Sequence, residues 1–162
     1  IYPQGSEYAK RNFLLRISSA TVECERSEFT SLPQVERIIL PLSGSLHLFY
    51  EGHGEKKLEP FEQDRFDGGW KTVSVDRATD FNVMLREGTQ AQVRLLDVNP
   101  NEQASVEVAA NGLTAVFAAQ GTAVVDGKAL PERGLAVAKE EGSFLLTGGS
   151  AGCRLLCVEV QF

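Results

Sequence analysis

Histidine is scarce in this sequence, and the shortage argues against two classes of site. The 162 residues include only His47 and His53, which do not form a His-x-His pair. A transition-metal site usually draws on several His or Cys ligands, and a Ser-His-acid triad needs a histidine beside its nucleophile. We therefore expect no bound metal and no cofactor. His53 lies in a Gly-His-Gly turn, whereas His47 shares a strand face with Phe49 and is a candidate pocket or core histidine.

Cysteine is also rare. Cys24, Cys153 and Cys157 make an odd number, which suits a reducing cytoplasm better than a disulfide scaffold. On one strand, Cys153 and Cys157 would lie about 13 Å apart, whereas the Cα atoms of a disulfide lie within about 7 Å. We expect both to be small buried apolar residues, and we expect the protein to be cytoplasmic.

Positive charge and long apolar runs are lacking as well. Lys and Arg number 16 against 22 Asp and Glu, for a net charge of -6, and basic residues do not cluster beyond short pairs such as Lys56-Lys57. Nucleic acid is therefore not an expected partner. No apolar run approaches the roughly 18 residues of a membrane span, so no membrane association is expected. The chain opens at Ile1 without Met, and we expect an upstream segment to have been removed or to be missing.

Short runs of strand-forming residues are abundant and are separated by turn residues at intervals of about 8–12. This spacing is typical of a β-sandwich or barrel, and no long stretch has a helical period. The sequence therefore predicts an all-β fold with little or no helix. The predicted strands are Phe13–Val22, Arg37–Leu42, Ser45–Tyr50, Thr72–Val75, Asp80–Arg86, Gln92–Leu96, Ala104–Val108, Thr114–Ala118, Thr122–Val125, Leu135–Ala138, Ser143–Leu146 and Arg154–Val160.

A weak internal repeat predicts two small antiparallel barrels packed together. The segment around Gly44 and the segment around Gly121 each pass from a strand through a Gly turn into a second strand. A Leu- and Pro-containing element follows in both halves. The polar stretch at Val98–Gln103 contains a Pro and suits a crossover. We therefore predict an N-terminal barrel over residues 1–98 and a C-terminal barrel over residues 99–162.

Two predicted strands carry polar groups on one face. Arg16 and Ser18 share a face of the first, and Asp80, Asn82 and Arg86 share a face of the second, because side chains alternate along a strand. If these faces point outward, the sheet is an ordinary half-solvated one. If they point into a barrel, they form a polar pocket for a small ligand.

Arginine is the residue type that favours the pocket. Arg16, Arg37 and Arg86 each lie among apolar neighbours in a predicted strand, and a buried guanidinium needs a partner. Asp80 is one candidate partner and a ligand carboxylate is another. The alternative is that Arg16–Asp80 and Arg37–Glu36 are ion pairs on the sheet surface. The candidate ligand-binding residues are Arg16, Ser18, Arg37, Asp80, Asn82 and Arg86.

Three further segments carry structural predictions. Asp126-Gly127 is predicted to form a tight hairpin turn, because both residues tolerate positive φ angles. Gly148-Gly149-Ser150 is predicted to be a loose hairpin turn, because it lacks the Lys and the following helix of a phosphate-binding loop. Trp70 and Phe66 flank a Gly turn, where aromatic side chains pack in a core, close the rim of a barrel or cover a ligand.

Several segments in order resemble the HutD/Ves family of bacterial bicupins. They are Arg16–Val22, Phe29–Arg37, the Gly44 turn, Phe66-Asp67-Gly68 and Asp80–Arg86, which together cover about the first 100 residues. The resemblance implies two cupin-like barrels and a role in histidine utilisation or stress response. It attaches no established enzymatic activity. Relatives usually carry a Gly- and Thr-rich segment upstream of the position of Ile1, which this sequence does not include.

Three functions are consistent with these features. The first is a non-enzymatic, regulatory bicupin that binds a small carboxylate in its N-terminal barrel. The second is a metal-independent isomerase or hydrolase that uses Asp80 or His47 as its acid or base. The third is an interaction protein without a ligand, whose exposed strand edges form a homodimer.

Overall fold

Antiparallel β-strands make up the regular structure of the described residues, which are 1–23, 25–108, 110–139 and 141–162 of a computed structural model. These residues form fourteen strands and no helix, and all their strand pairs are antiparallel. The all-β prediction is therefore confirmed. The same part of the chain contains no helix with the length and apolar character needed to cross a membrane.

The chain divides into two compact units, Ile1–Thr89 and Gln90–Phe162. The first contains β1 (Leu15–Val22), β2 (Arg26–Glu28), β3 (Glu36–Gly44), β4 (Leu46–Tyr50), β5 (Gly54–Leu58), β6 (Asp64–Asp67), β7 (Thr72–Val75) and β8 (Ala78–Leu85). The second contains β9 (Gln90–Val98), β10 (Gln103–Glu107), β11 (Gly112–Val125), β12 (Lys128–Leu130), β13 (Leu135–Ala138) and β14 (Ser143–Gln161). The division precedes β9, because β9 pairs with β14 along its whole length.

The first unit consists of two four-stranded sheets. Sheet A has the strand order β1-β8-β3-β6, and sheet B has the order β2-β7-β4-β5. One apolar cluster draws on both sheets: Ile39, Phe66 and Ala78 come from sheet A, whereas Leu48 and Tyr50 come from sheet B. Since each of these side chains is buried, the cluster marks the interior between the two sheets. We call this space the interior of the first unit.

The second unit is built around the paired long strands β11 and β14. The buried residues of its core include Val116, Leu146, Leu155 and Cys157. Cys153 packs against the same cluster, and both cysteines are free thiols. Cys157 is buried as predicted, Cys153 is half-buried and packs against the core, and Cys24 lies outside the described residues.

The predicted turn at Gly148-Gly149-Ser150 is wrong, because these residues lie within β14. The register between β11 and β14 shifts between Gly121 and Ala123, opposite residues 148–153, so the strand continues through an irregular region. A Cβ atom on Gly148 would lie 2.3 Å from the backbone oxygen of Asn99. The glycine therefore allows close approach of a neighbouring backbone rather than a reversal of the chain.

The two-barrel prediction is confirmed only in its coarse features. Each unit consists of antiparallel strands, but none of the sheets formed by the described residues closes on itself. The first unit is therefore best described as two facing sheets with a shared interior.

Candidate functional site

Strand register places most of the predicted site residues on one face of sheet A. Across β1, β8 and β3, Arg16 aligns with Met84 and Arg37, and Ser18 aligns with Asn82 and Ile39. Asp80 occupies the same face, two residues before Asn82. Ile39 belongs to the cluster between the sheets, so this polar face points into the interior of the first unit.

Sheet B supplies the opposite wall. Ser74 lies beside Leu48, and Thr72 lies beside Tyr50. Leu48 and Tyr50 are members of the interior cluster, and residues directly opposite in an antiparallel pair share a face. Ser74 and Thr72 therefore point toward sheet A. The Tyr50 hydroxyl donates a 2.7 Å hydrogen bond to Asp64 Oδ2. Burial has the largest effect on the pKa of Tyr50 and this bond the second largest, and both raise it.

Arg37 is the most unusual residue of the interior. Its exposed fraction is only 6%, and its guanidinium carbon lies 4.6 Å from the ring centre of Phe29 and 5.6 Å from that of Phe66. These cation–π contacts are favourable, but its Nε atom has no hydrogen-bond partner among the described residues. Burial lowers the pKa of Arg37, against the opposing influence of Tyr8 and Asp80. The side chain is thus a buried cation with unused hydrogen-bonding capacity.

Asp80 is a deeply buried acidic group of the same face. Its exposed fraction is 7%, and burial raises its pKa to about 6, while Arg37, a backbone hydrogen bond at Ala20 and Arg16 act in the opposite direction. Among the described residues, Asp80 and Arg37 do not form a direct salt bridge. For each group, burial changes the pKa more than the charge of the other group does. The two charges therefore do not fully compensate each other in the interior.

Arg16 lies nearer the edge of this face and is half-buried. Its Nη1 atom donates to Ser18 Oγ at 2.6 Å and contacts Met84 Sδ at 3.8 Å. Its guanidinium carbon lies 4.6 Å from the ring centre of Tyr8. Since Arg16 and Ser18 are both partly accessible, they are suited to form the entrance to the more deeply buried groups.

Asn82 and Arg86 complete the predicted set. Asn82 has an exposed fraction of 5%, and its Oδ1 atom has no partner among the described residues. Arg86 follows the end of β8, and its charge is not among those that act on the pKa of Arg37 or Asp80. The structure thus brings Arg16, Ser18, Arg37, Asp80 and Asn82 to one face and places Arg86 at its end.

A loop held by backbone hydrogen bonds positions the aromatic ring above Arg37. The Phe29 amide donates to Thr72 O at 2.9 Å, and the Leu32 amide donates to Gly68 O at 2.6 Å. The Gly68 amide in turn donates to Val35 O at 2.7 Å. A Cβ atom on Gly68 would lie 2.8 Å from that same oxygen, so glycine is required for the loop to approach this closely.

Sequence reasoning missed several groups of this interior. Tyr8, Phe29, Tyr50 and Ser74 all contribute to it, but none was a predicted site residue. For Ser74 a signal existed, because β7 alternates in pattern and Ser74 is its polar inward position. The sequence alone did not say which face of that strand is inward.

Three predictions about individual side chains are wrong. His47 points away from the interior, since its strand neighbours Leu46 and Leu48 point inward. Its Nε2 atom lies 3.3 Å from Glu55 Oε2, and its ring lies 4.1 Å from that of Phe49. A surface pair between Arg37 and Glu36 does not form, because Arg37 is buried and Glu36 pairs instead with Arg65 at 2.8 Å.

The surface pair between Arg16 and Asp80 is also not formed, because Asp80 is buried and the Arg16 guanidinium contacts Ser18, Met84 and Tyr8 instead. The imidazole of His53 is exposed and stacks on Trp70 with ring centres 4.0 Å apart. Phe66 is buried, and Trp70 is half-buried against the interior cluster. In the described part of the chain, no group of three or more His, Cys, Asp or Glu side chains is placed to hold a metal ion.

Comparison with known proteins identifies the family. The HutD family model matches residues 1–155, so the chain belongs to the HutD family, as its sequence motifs predict. No curated protein matches the chain.

Solved structures establish the kind of fold. A conserved protein of unknown function from Pseudomonas aeruginosa PAO1 is 20% identical, with a TM-score of 0.74 over 92% of this chain and 83% of that one. The structure of HutD from Pseudomonas fluorescens SBW25 in the formate condition is 19% identical, with a TM-score of 0.68 over 93% of this chain and 81% of that one. A cupin 2 conserved barrel domain protein from Leptotrichia buccalis is 12% identical, with a TM-score of 0.55 over 90% and 89%. At these identities the likeness shows a cupin-like fold.

Proposed function

We propose that this HutD-family protein binds a small carboxylate-bearing molecule in the interior of its first unit. The observation that supports this most is Arg37, whose guanidinium is buried, lacks a salt bridge among the described residues and has an unpaired Nε donor. Burying a charge without a full set of partners is costly. A ligand carboxylate would provide both the opposite charge and the missing acceptor.

The neighbouring groups fit an anion that enters from the side of Arg16. Arg16 and Arg37 carry two positive charges, and Asp80, whose pKa burial raises to about 6, carries one negative charge at neutral pH. Asp64, which accepts from Tyr50 and lies opposite Ile39, adds a second carboxyl group to the interior, so the support for an anion comes from the two guanidinium groups and not from an overall positive charge. Hydrogen bonds to charged groups contribute about 1.5–3 kcal/mol each, so two or three would support binding in the micromolar range.

Aromatic rings define the remaining walls. Phe29 and Phe66 lie over Arg37, and Tyr8 lies over Arg16. Such rings hold the guanidinium groups in place, which reduces the entropy that ligand binding would otherwise cost. The proposed ligand is therefore a compact organic acid that fits between ordered side chains.

The biological role that accompanies this proposal is regulatory rather than catalytic. The family resemblance associates such binding with histidine utilisation or stress response. A cytoplasmic location and a homodimer remain predictions from the sequence, as does the absence of nucleic acid and membrane partners. An interaction protein without a ligand is disfavoured by the polar groups that line the interior.

Thermal-shift and calorimetric titrations test the proposal. Formate is the smallest carboxylate probe, and glutamate, formylglutamate and urocanate are larger ones. We expect at least one to raise the melting temperature of the wild type, and Arg37→Met to weaken its binding by at least tenfold. Arg65→Met is the control, because Arg65 lies on the same sheet but is exposed and pairs with Glu36. Flat titrations with all of these acids, or equal binding by both variants, would contradict the proposal.

A second candidate function is metal-independent acid–base catalysis in the same interior. The buried Asp80 carboxyl favours it, because a pKa of about 6 lies close to the operating range of a general base. His47 is no longer a candidate for this role, since it points away from the interior. Turnover of a bound acid that is abolished by Asp80→Asn, while binding is retained, would support catalysis.

A further inference from the structure

Ser74 is a buried hydroxyl group on the wall opposite the arginines. Its exposed fraction is 0%, and its Oγ atom has no hydrogen-bond partner among the described residues. A buried hydroxyl group usually finds a hydrogen-bond partner on a nearby strand or side chain, but the described strands beside Ser74 do not provide such a partner. An unpaired buried hydroxyl is unfavourable unless something else meets it.

Ser74 and Asn82 face the same interior from opposite sheets. Ser74 is the cross-strand neighbour of Leu48 in sheet B, and Asn82 is the cross-strand neighbour of Ile39 in sheet A. Leu48 and Ile39 belong to one apolar cluster. The two polar groups therefore flank the same packed space, from opposite sides of one sheet-to-sheet core.

The unpaired atoms have different hydrogen-bonding characters. Arg37 Nε is a donor, Asn82 Oδ1 is an acceptor, and Ser74 Oγ can act as either. A plain carboxylate carries only acceptors, so it would satisfy Arg37 but leave Asn82 Oδ1 without a donor. A molecule that also carries an O–H or N–H group would satisfy both.

We infer that Ser74 contacts the ligand and that Ser74 and Asn82 together select carboxylates that also carry a hydrogen-bond donor. This inference rests on the proposed function, because it concerns the same interior. It assigns Arg37 to the carboxylate and the opposed Ser74–Asn82 pair to the donor group. Donor-lacking acids of the same size are then poorer ligands, since they leave a buried acceptor unpaired.

The test compares acids that differ by one hydroxyl group. Propionate with lactate, and succinate with malate, are suitable pairs for isothermal titration of the full chain. For a pair that fits the interior, we expect the hydroxylated acid to bind the wild type about tenfold more tightly. Ser74→Ala and Asn82→Leu should each reduce that preference several-fold. Ser43→Ala is the matched control, because Ser43 is exposed at the end of β3.

A second measurement separates ligand contact from a structural role. In the free protein, Ser74→Ala removes an unpaired hydroxyl, so its melting temperature should be unchanged or higher than that of the wild type. A clear fall in melting temperature would mean that the hydroxyl stabilises the fold itself, and would overturn the assignment.

The outcomes distinguish this inference from the proposed function. If acids bind and Arg37→Met abolishes binding, but the hydroxylated and plain acids bind equally, only the selection by Ser74 and Asn82 is refuted. That selection is refuted in the same way if the preference survives both substitutions. If none of the probes in either series binds, the carboxylate site and its selectivity are refuted together.

Discussion

Replacing Asp80 with Asn should make the protein more stable at neutral pH, and the gain should disappear in acid. Asp80 is almost completely buried, and burial raises its pKa from an ordinary value of 3.8 to about 6. The folded state therefore binds the Asp80 proton more tightly than the unfolded state. Its favourable contribution is complete below pH 3.8 and is lost as the pH rises through about 6.

The size of the effect follows from the same pKa difference. A difference between 3.8 and about 6 corresponds to about 3 kcal/mol. Asn has the shape of the protonated carboxyl group but does not ionise. The free energy of unfolding of Asp80→Asn, relative to the wild type, should therefore increase by up to about 3 kcal/mol between pH 4 and pH 8.

Urea unfolding at a series of pH values measures this difference, provided that the slope with denaturant is the same for both proteins. The carbon-13 shift of the Asp80 carboxyl group would report its titration directly. Asp76→Asn is the control, because Asp76 is exposed and has a positive φ of 86°, which Asn tolerates. A stability difference for Asp80→Asn that stays constant over this pH range would refute the reasoning.

Three further predictions concern other parts of the chain. In the free protein, Arg37→Met should not lower the free energy of unfolding at pH 5, where Asp80 is largely protonated, because the substitution removes a buried unpaired donor. Calorimetric melting measures this. A large loss of stability would mean that Arg37 is held by bonds within the fold. Tyr50→Phe removes the hydrogen bond to Asp64 and should cost about 1–2 kcal/mol in urea unfolding; no loss would show that this bond is not maintained. Gly148→Ala should destabilise the second unit more than Gly127→Ala, because a Cβ on Gly148 would lie 2.3 Å from a backbone oxygen, whereas Gly127 has open space and only the strain of its positive φ of 77°. Equal costs would contradict the assigned packing.

The alternation of side chains made one half of the candidate site predictable. Arg16 and Ser18, like Asp80 and Asn82, are separated by two positions, and a strand places such residues on one face whatever its partners are. The sequence did not contain the pairing of Ser18 with Asn82 across β1 and β8. That register depends on the long-range packing of both strands, which no local pattern specifies.

Where every position of a strand is apolar or aromatic, the inward face could not be read from the sequence. β4 has the sequence Leu-His-Leu-Phe-Tyr, so both of its faces look equally suited to burial. The prediction for His47 failed for this reason, and Tyr50 was missed for the same reason. Ser74 was missed differently, because the alternation of Thr72 and Ser74 with two valines does not say whether the polar face of β7 points inward or outward.

Glycine was ambiguous in another way. Asp126-Gly127 was correctly predicted as a tight turn between β11 and β12, since both residues adopt the positive φ values that such a turn requires. Gly148 and Gly149 gave the same local signal but lie inside β14. The difference is set by neighbouring backbone atoms that contact these glycines from distant parts of the chain, and this information is absent from the local sequence.

The strongest reason to look for a ligand is that one molecule would resolve several separate costs. Arg37 Nε, Asn82 Oδ1 and Ser74 Oγ are each buried without a partner in the described part of the chain. Each such group costs about 1–3 kcal/mol, which is large against a typical stability of about 5–15 kcal/mol for a whole domain. The two sheets contribute these atoms independently, so no single local distortion accounts for all three. A compact acid with its own donor would bond to all of them at once, and the protein would gain stability in proportion to the logarithm of ligand concentration once that concentration exceeds the dissociation constant. A melting temperature that rises in this way for the wild type, and much less for Arg37→Met, is the behaviour that the proposed site predicts.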